Sequence, residues 1–240
     1  MGLSLIDMLR GLRFMGAGNL IASVRYPLTR DRLNARLLSG QAQPAPFAPG
    51  ELQSASATPN GGTFSFEHAT LEIEFLAPDV IRTTWSPGEP PVPYAIAEYS
   101  WPGDRVELAA EGERWSLRGT DYQMQVELDG ALHHRTLAGE LLRLDRPPQR
   151  AGTGWTLETE LSPEGVVCGL GERAAGLNLR GSRFRFWNLD PGGSYGADHD
   201  PLYLSIPVYY VLQQAGGYLL FHENAHDGAI EFGCVPPAVG

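Results

Sequence analysis

Three patches of this 240-residue sequence carry side chains that chemistry could use. The first centres on Asp190, which follows Trp187-Asn188-Leu189 and precedes Pro191-Gly192-Gly193-Ser194-Tyr195-Gly196. Its carboxylate can accept two hydrogen bonds from neighbouring hydroxyls, and charged acceptors make the stronger bonds. It can equally cap the turn at Pro191-Gly192, and the residue types alone leave both readings open. The second patch is Asp198-His199-Asp200. Paired carboxylates flanking a glycosidic bond are the usual machinery for breaking it, but an aspartate before proline also suits a turn that opens a strand. The third is His222-Glu223-Asn224-Ala225-His226, which matches the H-E-x-x-H pattern of zinc peptidases. That chemistry needs both histidines one turn apart on a helix. Gly217–Phe221 reads instead as a strand and Asp227-Gly228 as a turn, so no helix fits and no metal is expected.

The elements that must position these residues are strands. Leu71, Ile73 and Phe75 alternate with Glu72 and Glu74, which buries one face and wets the other. Tyr122, Met124, Val126 and Leu128 repeat the pattern, as do Trp155, Leu157, Thr159 and Leu161. Arg183-Phe184-Arg185-Phe186 alternates cation with aromatic. Pro201–Phe221 is apolar but interrupted by Gln213-Gln214-Ala215-Gly216-Gly217, which predicts two strands and a turn. Turn signals such as Ala77-Pro78-Asp79, Ser86-Pro87-Gly88, Trp101-Pro102-Gly103-Asp104 and Asp129-Gly130 separate the strands. The fold class expected is all-β, an antiparallel sandwich or barrel. Residues 1–38 stand apart: Leu5, Ile6, Leu9 and Leu12 share a helical face, and Asp31–Leu38 suggests a second helix with Thr29 as N-cap. Residues 39–62 turn to Pro, Ala, Ser, Gln and Gly and read as a linker or loop, which leaves 63–240 for the β-sandwich.

Composition excludes several classes. A net charge of −10 opposes a nucleic-acid partner, and the arginines recurring from Arg10 to Arg36 read as a solvated or inter-domain face. No uninterrupted apolar run spans a membrane, and the N-terminus has no basic region followed by an apolar stretch, so no signal peptide is expected. Two cysteines, Cys168 and Cys234, fit buried thiols in a reducing cytoplasm, with a single disulfide between them as the other possibility. Trp85, Trp115 and Trp155 lie in or beside alternating strands and are expected in the core, whereas Trp101, next to Pro102-Gly103, is expected at the surface.

One segment ties these observations together. It runs Cys168-Gly169-Leu170-Gly171-Glu172-Arg173, then Trp187-Asn188-Leu189-Asp190, then Asp200-Pro201-Leu202-Tyr203-Leu204-Ser205-Ile206-Pro207. Leu219-Leu220-Phe221-His222-Glu223-Asn224 comes next, and Phe232-Gly233 closes it. Its order and spacing resemble the last third of the N-terminal β-sandwich domain of glycoside hydrolase family 31, the α-glucosidase family, a galactose mutarotase-like supersandwich. The resemblance is strong over 168–233 and general over 64–167. It implies that Asp190 lies on a loop reaching over the active-site mouth of a following (β/α)8 barrel, where it binds sugar hydroxyls. It implies a turn role for Asp200 and a structural ion pair or backbone hydrogen bond for Glu172 and Arg173. Pro191-Gly192-Gly193 departs from the more usual aromatic-bearing sequence, and His222-Glu223 replaces small acidic or aromatic residues, so sugar preference is left open.

The resemblance further implies a retaining hydrolase of α-linked glucosides that needs no cofactor, with its nucleophile and acid/base on barrel strands. Nothing here resembles the Asp-x-Asn-Glu signature of that nucleophile, and eight β/α units need about 250 residues. The expectation is therefore a domain without its catalytic barrel, inactive alone, whose partners are that barrel and an α-glucoside or oligosaccharide. The alternative is a stand-alone, non-catalytic carbohydrate-binding module. A sugar epimerase would need a His/Glu pair facing one cleft. His133, His134, His199 and Glu223 are available, but their spacing does not favour it.

Overall fold

The computed structural model describes residues 16, 18, 19, 21, 22, 25–30, 32, 33, 45–88, 95–97, 99–191, 195–223 and 226–233. The chain divides into two compact units, 1–45 and 46–240. In the first, residues 25–30, 32 and 33 are helical. Thr29 is not the N-cap expected of it: it lies within the helix, and its hydroxyl donates to the Arg25 carbonyl one turn back at 2.8 Å. Leu5, Ile6, Leu9 and Leu12 lie outside the described residues.

The second unit is built from antiparallel sheets. The first is a meander of β1 (Leu52–Thr58), β2 (Gly61–Phe66), β3 (Thr70–Ala77) and β4 (Val80–Ser86). Its first strand falls inside the Pro- and Ala-rich stretch 39–62. A second meander comprises β5 (Glu107–Glu111), β6 (Arg114–Arg118), β7 (Tyr122–Glu127), β8 (Leu132–Thr136) and β9 (Leu141–Asp145). After a hairpin of β10 (Gln149–Ala151) and β11 (Gly154–Thr156), β12 (Thr159–Glu160) pairs with the free edge of β9. Phe64, Leu71, Ile73 and Phe75 from the first sheet pack with Leu117, Met124, Val126 and Leu132 from the second in one fully buried cluster. The alternations read over 71–75 and 122–126 are thus the two walls of a core. Trp85 and Trp115 pack against it, partly buried.

The alternation read over 155–161 does not survive as one strand. It is split between β11 and β12, which pair with different partners, and Leu157 between them is 51% exposed.

A third sheet has the order β13 (Val166–Gly171), β15 (Ser205–Gln213), β16 (Gly216–Phe221); beside it β14 (Arg183–Arg185) pairs with β17 (Ala229–Glu231). Val167, Tyr209, Val211 and Leu220 line its inner face and join Leu170, Leu179, Phe184 and Phe232 in a second core. Its other face is also apolar but uncovered: Leu212 is 55% exposed and Tyr210 48%, with Val166, Ile206 and Leu219 alongside.

A buried polar node lies where β9 approaches β16. Asp145 accepts from Arg143 Nε and Nη2 at 2.7 and 2.6 Å and from Thr159 Oγ1 at 2.7 Å. His134 Nε2 is 3.1 Å from Asp145 Oδ2, and its Nδ1 is 2.7 Å from the Tyr122 hydroxyl. An ionised carboxylate only accepts, so Nε2 carries the proton and Nδ1 accepts from Tyr122. The Arg143 guanidinium lies 5.8 Å from the Tyr218 ring centroid, and Gln213 Nε2 donates to the Leu142 carbonyl at 2.6 Å. Burial alone would raise the Asp145 carboxyl, but Arg143 and His134 outweigh it and hold the group well below the usual carboxylate range. Burial, reinforced by Arg143, pulls His134 below its ordinary value.

Candidate functional site

The Gly-Leu-Gly signature sets the site's base. Gly169, Leu170 and Gly171 all have positive φ, and the register between β13 and β15 shifts between Gly169 and Gly171. A Cβ on Gly171 would come within 2.5 Å of the Leu204 carbonyl oxygen, and one on Gly169 within 2.6 Å of that of Val208. Only glycine lets the two backbones close at this bulge. The bulge turns the chain out of the sheet so that Glu172 N donates to Leu204 O at 2.8 Å and Arg173 points back inward.

Arg173 is the hub of the site. Its side chain is 3% exposed, its Nη1 donates to Asp200 Oδ1 at 2.9 Å, and its Nη2 donates to Ser205 Oγ at 2.7 Å. The guanidinium lies 5.4 Å from the centroid of the buried Phe184 ring. Burial pulls Arg173 below its ordinary value, against the pull of Asp200. The structural role read for Arg173 is what the geometry shows, while Glu172 is exposed and uses its backbone. Asp200 does more than open a strand: its Oδ2 also accepts from the Arg185 backbone N–H at 2.6 Å.

Between Arg185 and Asp200 the chain makes an excursion that carries Asp190. Rungs close its base. Asn188 Oδ1 accepts from Ser205 N at 2.7 Å, and Leu189 N donates to Leu202 O at 2.9 Å. Asp190 is the next residue beyond these rungs, and it is exposed. On the outer side, the Arg185 guanidinium binds the Asp227 carboxylate through both Nε and Nη2 and lies 5.1 Å from the Trp187 ring centroid. Trp187 is 47% exposed, more than Trp101 at 39%. Tyr195 lies against His199 and Tyr203, with ring centroids 6.3 Å apart in each pair. An exposed carboxylate flanked in sequence by the exposed aromatic residues Trp187 and Tyr195 suits a polyhydroxylated ligand, whose hydroxyls bind carboxylates and whose C–H faces pack on rings.

The other candidates separate. His222 comes directly after β16 and its ring lies about equally far from Phe186 and Tyr209, with centroids 6.1 and 6.0 Å away. Burial pushes its pKa down to about 4. Glu223 pairs with Arg82 at 3.7 Å. Asn224 and Ala225 lie outside the described residues, and among those described no three His, Cys, Asp or Glu residues gather as a metal site. His134 belongs to the buried node, His133 lies 3.7 Å from Glu127, and His199 lies against Tyr195, so these groups have separate partners. Cys168 lies on β13, partly exposed, and Cys234 is outside the described residues. Also among the described residues, no helix is long and apolar enough to cross a membrane.

Packed antiparallel sheets with a clasped excursion define a β-sandwich domain. Residues 70–231 match the glycosyl hydrolase 31 N-terminal galactose mutarotase-like domain, and the chain belongs to that family. Alpha-glucosidase 2 of Bacillus thermoamyloliquefaciens is 21% identical over 190 residues, covering 76% of this chain and 24% of the relative. The Flavobacterium johnsoniae family 31 dextranase, solved with isomaltotriose, superposes with a TM-score of 0.64 at 22% identity, covering 78% of this chain and 24% of that one. The cycloalternan-forming enzyme of Listeria monocytogenes, solved with a pentasaccharide substrate, gives a TM-score of 0.55 at 13% identity over 69% of this chain and 17% of its own. The chain thus spans about a quarter of the length of the curated relative.

Proposed function

We infer that this domain serves a retaining α-glucosidase, buttressing a (β/α)8 barrel and lending Asp190 to the substrate pocket. The observation that carries the reading is the uncovered apolar face of the third sheet. It runs along β15, the strand that begins where the Asp190 excursion returns. A contiguous apolar face of this kind marks an interaction surface, and a barrel seated on it would rest on β15, the strand that follows the return of the Asp190 excursion. In this reading the body of the domain begins with β1, ahead of the boundary expected at 63, because β1 pairs along β2 in the first sheet. A reducing, cytoplasmic setting for Cys168 and Cys234 is part of the same proposal.

The purified chain is expected to leave 4-nitrophenyl α-glucoside intact and to give no calorimetric heat with maltose or isomaltose, because one carboxylate is a fraction of a pocket. Antibody against it should detect a native polypeptide heavier by at least about 25–30 kDa, the mass of a barrel. Sugar affinity without turnover, in a native protein of this chain's own mass, would replace this reading with that of a free-standing binding module.

A further inference from the structure

We propose that Asp200, held by Arg173, is a positioning residue for Asp190: it closes the excursion at its base and thereby fixes where Asp190 is presented. This rests on reading Asp190 as a substrate contact. One carboxylate joins three segments distant in sequence. Oδ2 takes the Arg185 N–H, the point of departure from β14, at 2.6 Å. Oδ1 takes Arg173 Nη1, just past the β13 bulge, at 2.9 Å. Asp200 itself is the point of return. Arg173 then reaches Ser205 at the start of β15 through Nη2 at 2.7 Å, so the same guanidinium grips both residues that flank the re-entry.

The clasp has little freedom. Arg173 is buried over Phe184, and the Asp200 side chain is mostly covered. A charged pair in such a place holds its geometry or loses both partners' hydrogen bonds together. Asn188 to Ser205 and Leu189 to Leu202 then tie the outgoing limb to the segment just past Asp200, and Asp190 lies one residue beyond these bonds. Asp190 therefore takes its backbone position from the segment that Asp200 and Arg173 hold in place. Misplacement of a substrate-contacting group by about 1 Å can cost about 10²-fold in rate, so the clasp should be legible in catalysis although it touches no sugar.

The test has two arms. In this chain, Asp200→Asn keeps size but gives an NH2 where an acceptor is needed. Hydrogen–deuterium exchange should speed at least about 10-fold at the Leu189 and Ser205 amides, while the Val167 and Val211 amides of the β13–β15 ladder keep their protection. Ser205→Ala, which removes the hydroxyl that holds Arg173 Nη2 and so loosens the same clasp, should speed exchange at the Leu189 amide in the same direction; it carries the test if Asp200→Asn does not fold. Unchanged exchange in the folded variants overturns the proposal whatever Asp190 does. In the polypeptide joining this domain to its barrel, Asp190→Ala should lower kcat/KM about 10- to 100-fold, the range of a hydrogen bond to a charged group. Asp200→Asn should lower it by a similar factor, with the double variant no worse than Asp190→Ala alone. If Asp190→Ala is silent, the substrate reading fails. If Asp190→Ala is costly while Asp200→Asn is silent, or the two losses multiply, positioning fails and the substrate reading stands.

Discussion

His222 should make this domain acid-sensitive in a defined window. Its ring is enclosed by Phe186 and Tyr209, Arg143 adds positive potential, and its pKa is pushed down to about 4. In the unfolded chain the same imidazole titrates near 6.5. Below that value the unfolded state binds the proton that the folded state refuses, so stability falls as pH drops from about 7 and levels off below about 4. Between pH 7.5 and pH 5 the linkage amounts to about 2 kcal/mol, and the partial accessibility of the ring makes this an upper figure. His222→Phe fills the aromatic niche with a group that does not titrate. Urea unfolding at both pH values should show wild type losing up to about 2 kcal/mol more than the variant over the interval. His134 contributes to both proteins alike and cancels in the difference. Asp145 lies below the interval altogether, since its stabilisation is lost only at more acidic pH. Parallel losses in the two proteins would show that the folded histidine takes up its proton freely, and that burial does not govern its charge.

Asp145→Asn leaves Arg143 buried without its counter-charge and should cost about 3–5 kcal/mol in equilibrium unfolding; a cost under about 1 kcal/mol would mean that water reaches the node. Gly171→Ala combines a φ of 81° with a Cβ only 2.5 Å from the Leu204 oxygen, and should cost at least about 1–3 kcal/mol by the same measurement. Leu212→Asp on the uncovered face should leave the isolated chain's stability within about 0.5 kcal/mol. It should also lower the yield of active enzyme when the domain is joined to its barrel. Normal yield there would move the interface elsewhere.

What the sequence discloses depends on how local the cause is. Leu71, Ile73, Phe75, Met124 and Val126 are legible because each strand carries its own alternation and every apolar member goes inward. Trp155 to Leu161 keep the alternation yet span two strands, since pairing partners, not periodicity, end β11 and begin β12. The polar node inverts the usual reading of Leu141-Leu142-Arg143-Leu144-Asp145. Leu144 shares the outer face with His133 and Glu160, and the charged residues turn inward to meet His134. That inversion is set by register with β8 and by the approach of Tyr218, neither of which is written in the five residues. At the candidate site, the motif marked Asp190, Arg173 and Asp200 as worth attention. The clasp joining the last two spans 27 positions and becomes visible only when β13 and β15 pair.

The polar seam between β9 and β16 has a mechanical consequence. Two greasy surfaces can slide over one another at little cost, because dispersion and water exclusion have no preferred direction. The Gln213 side-chain amide on the Leu142 carbonyl, with the Arg143 guanidinium over the Tyr218 ring beside it, accepts one alignment and penalises its neighbours. The seam therefore works as a keyed joint between the half of the sandwich that is only core and the half that carries the excursion. Substitutions that soften the key while sparing the apolar interior should leave a domain that still folds but aims its loop less sharply.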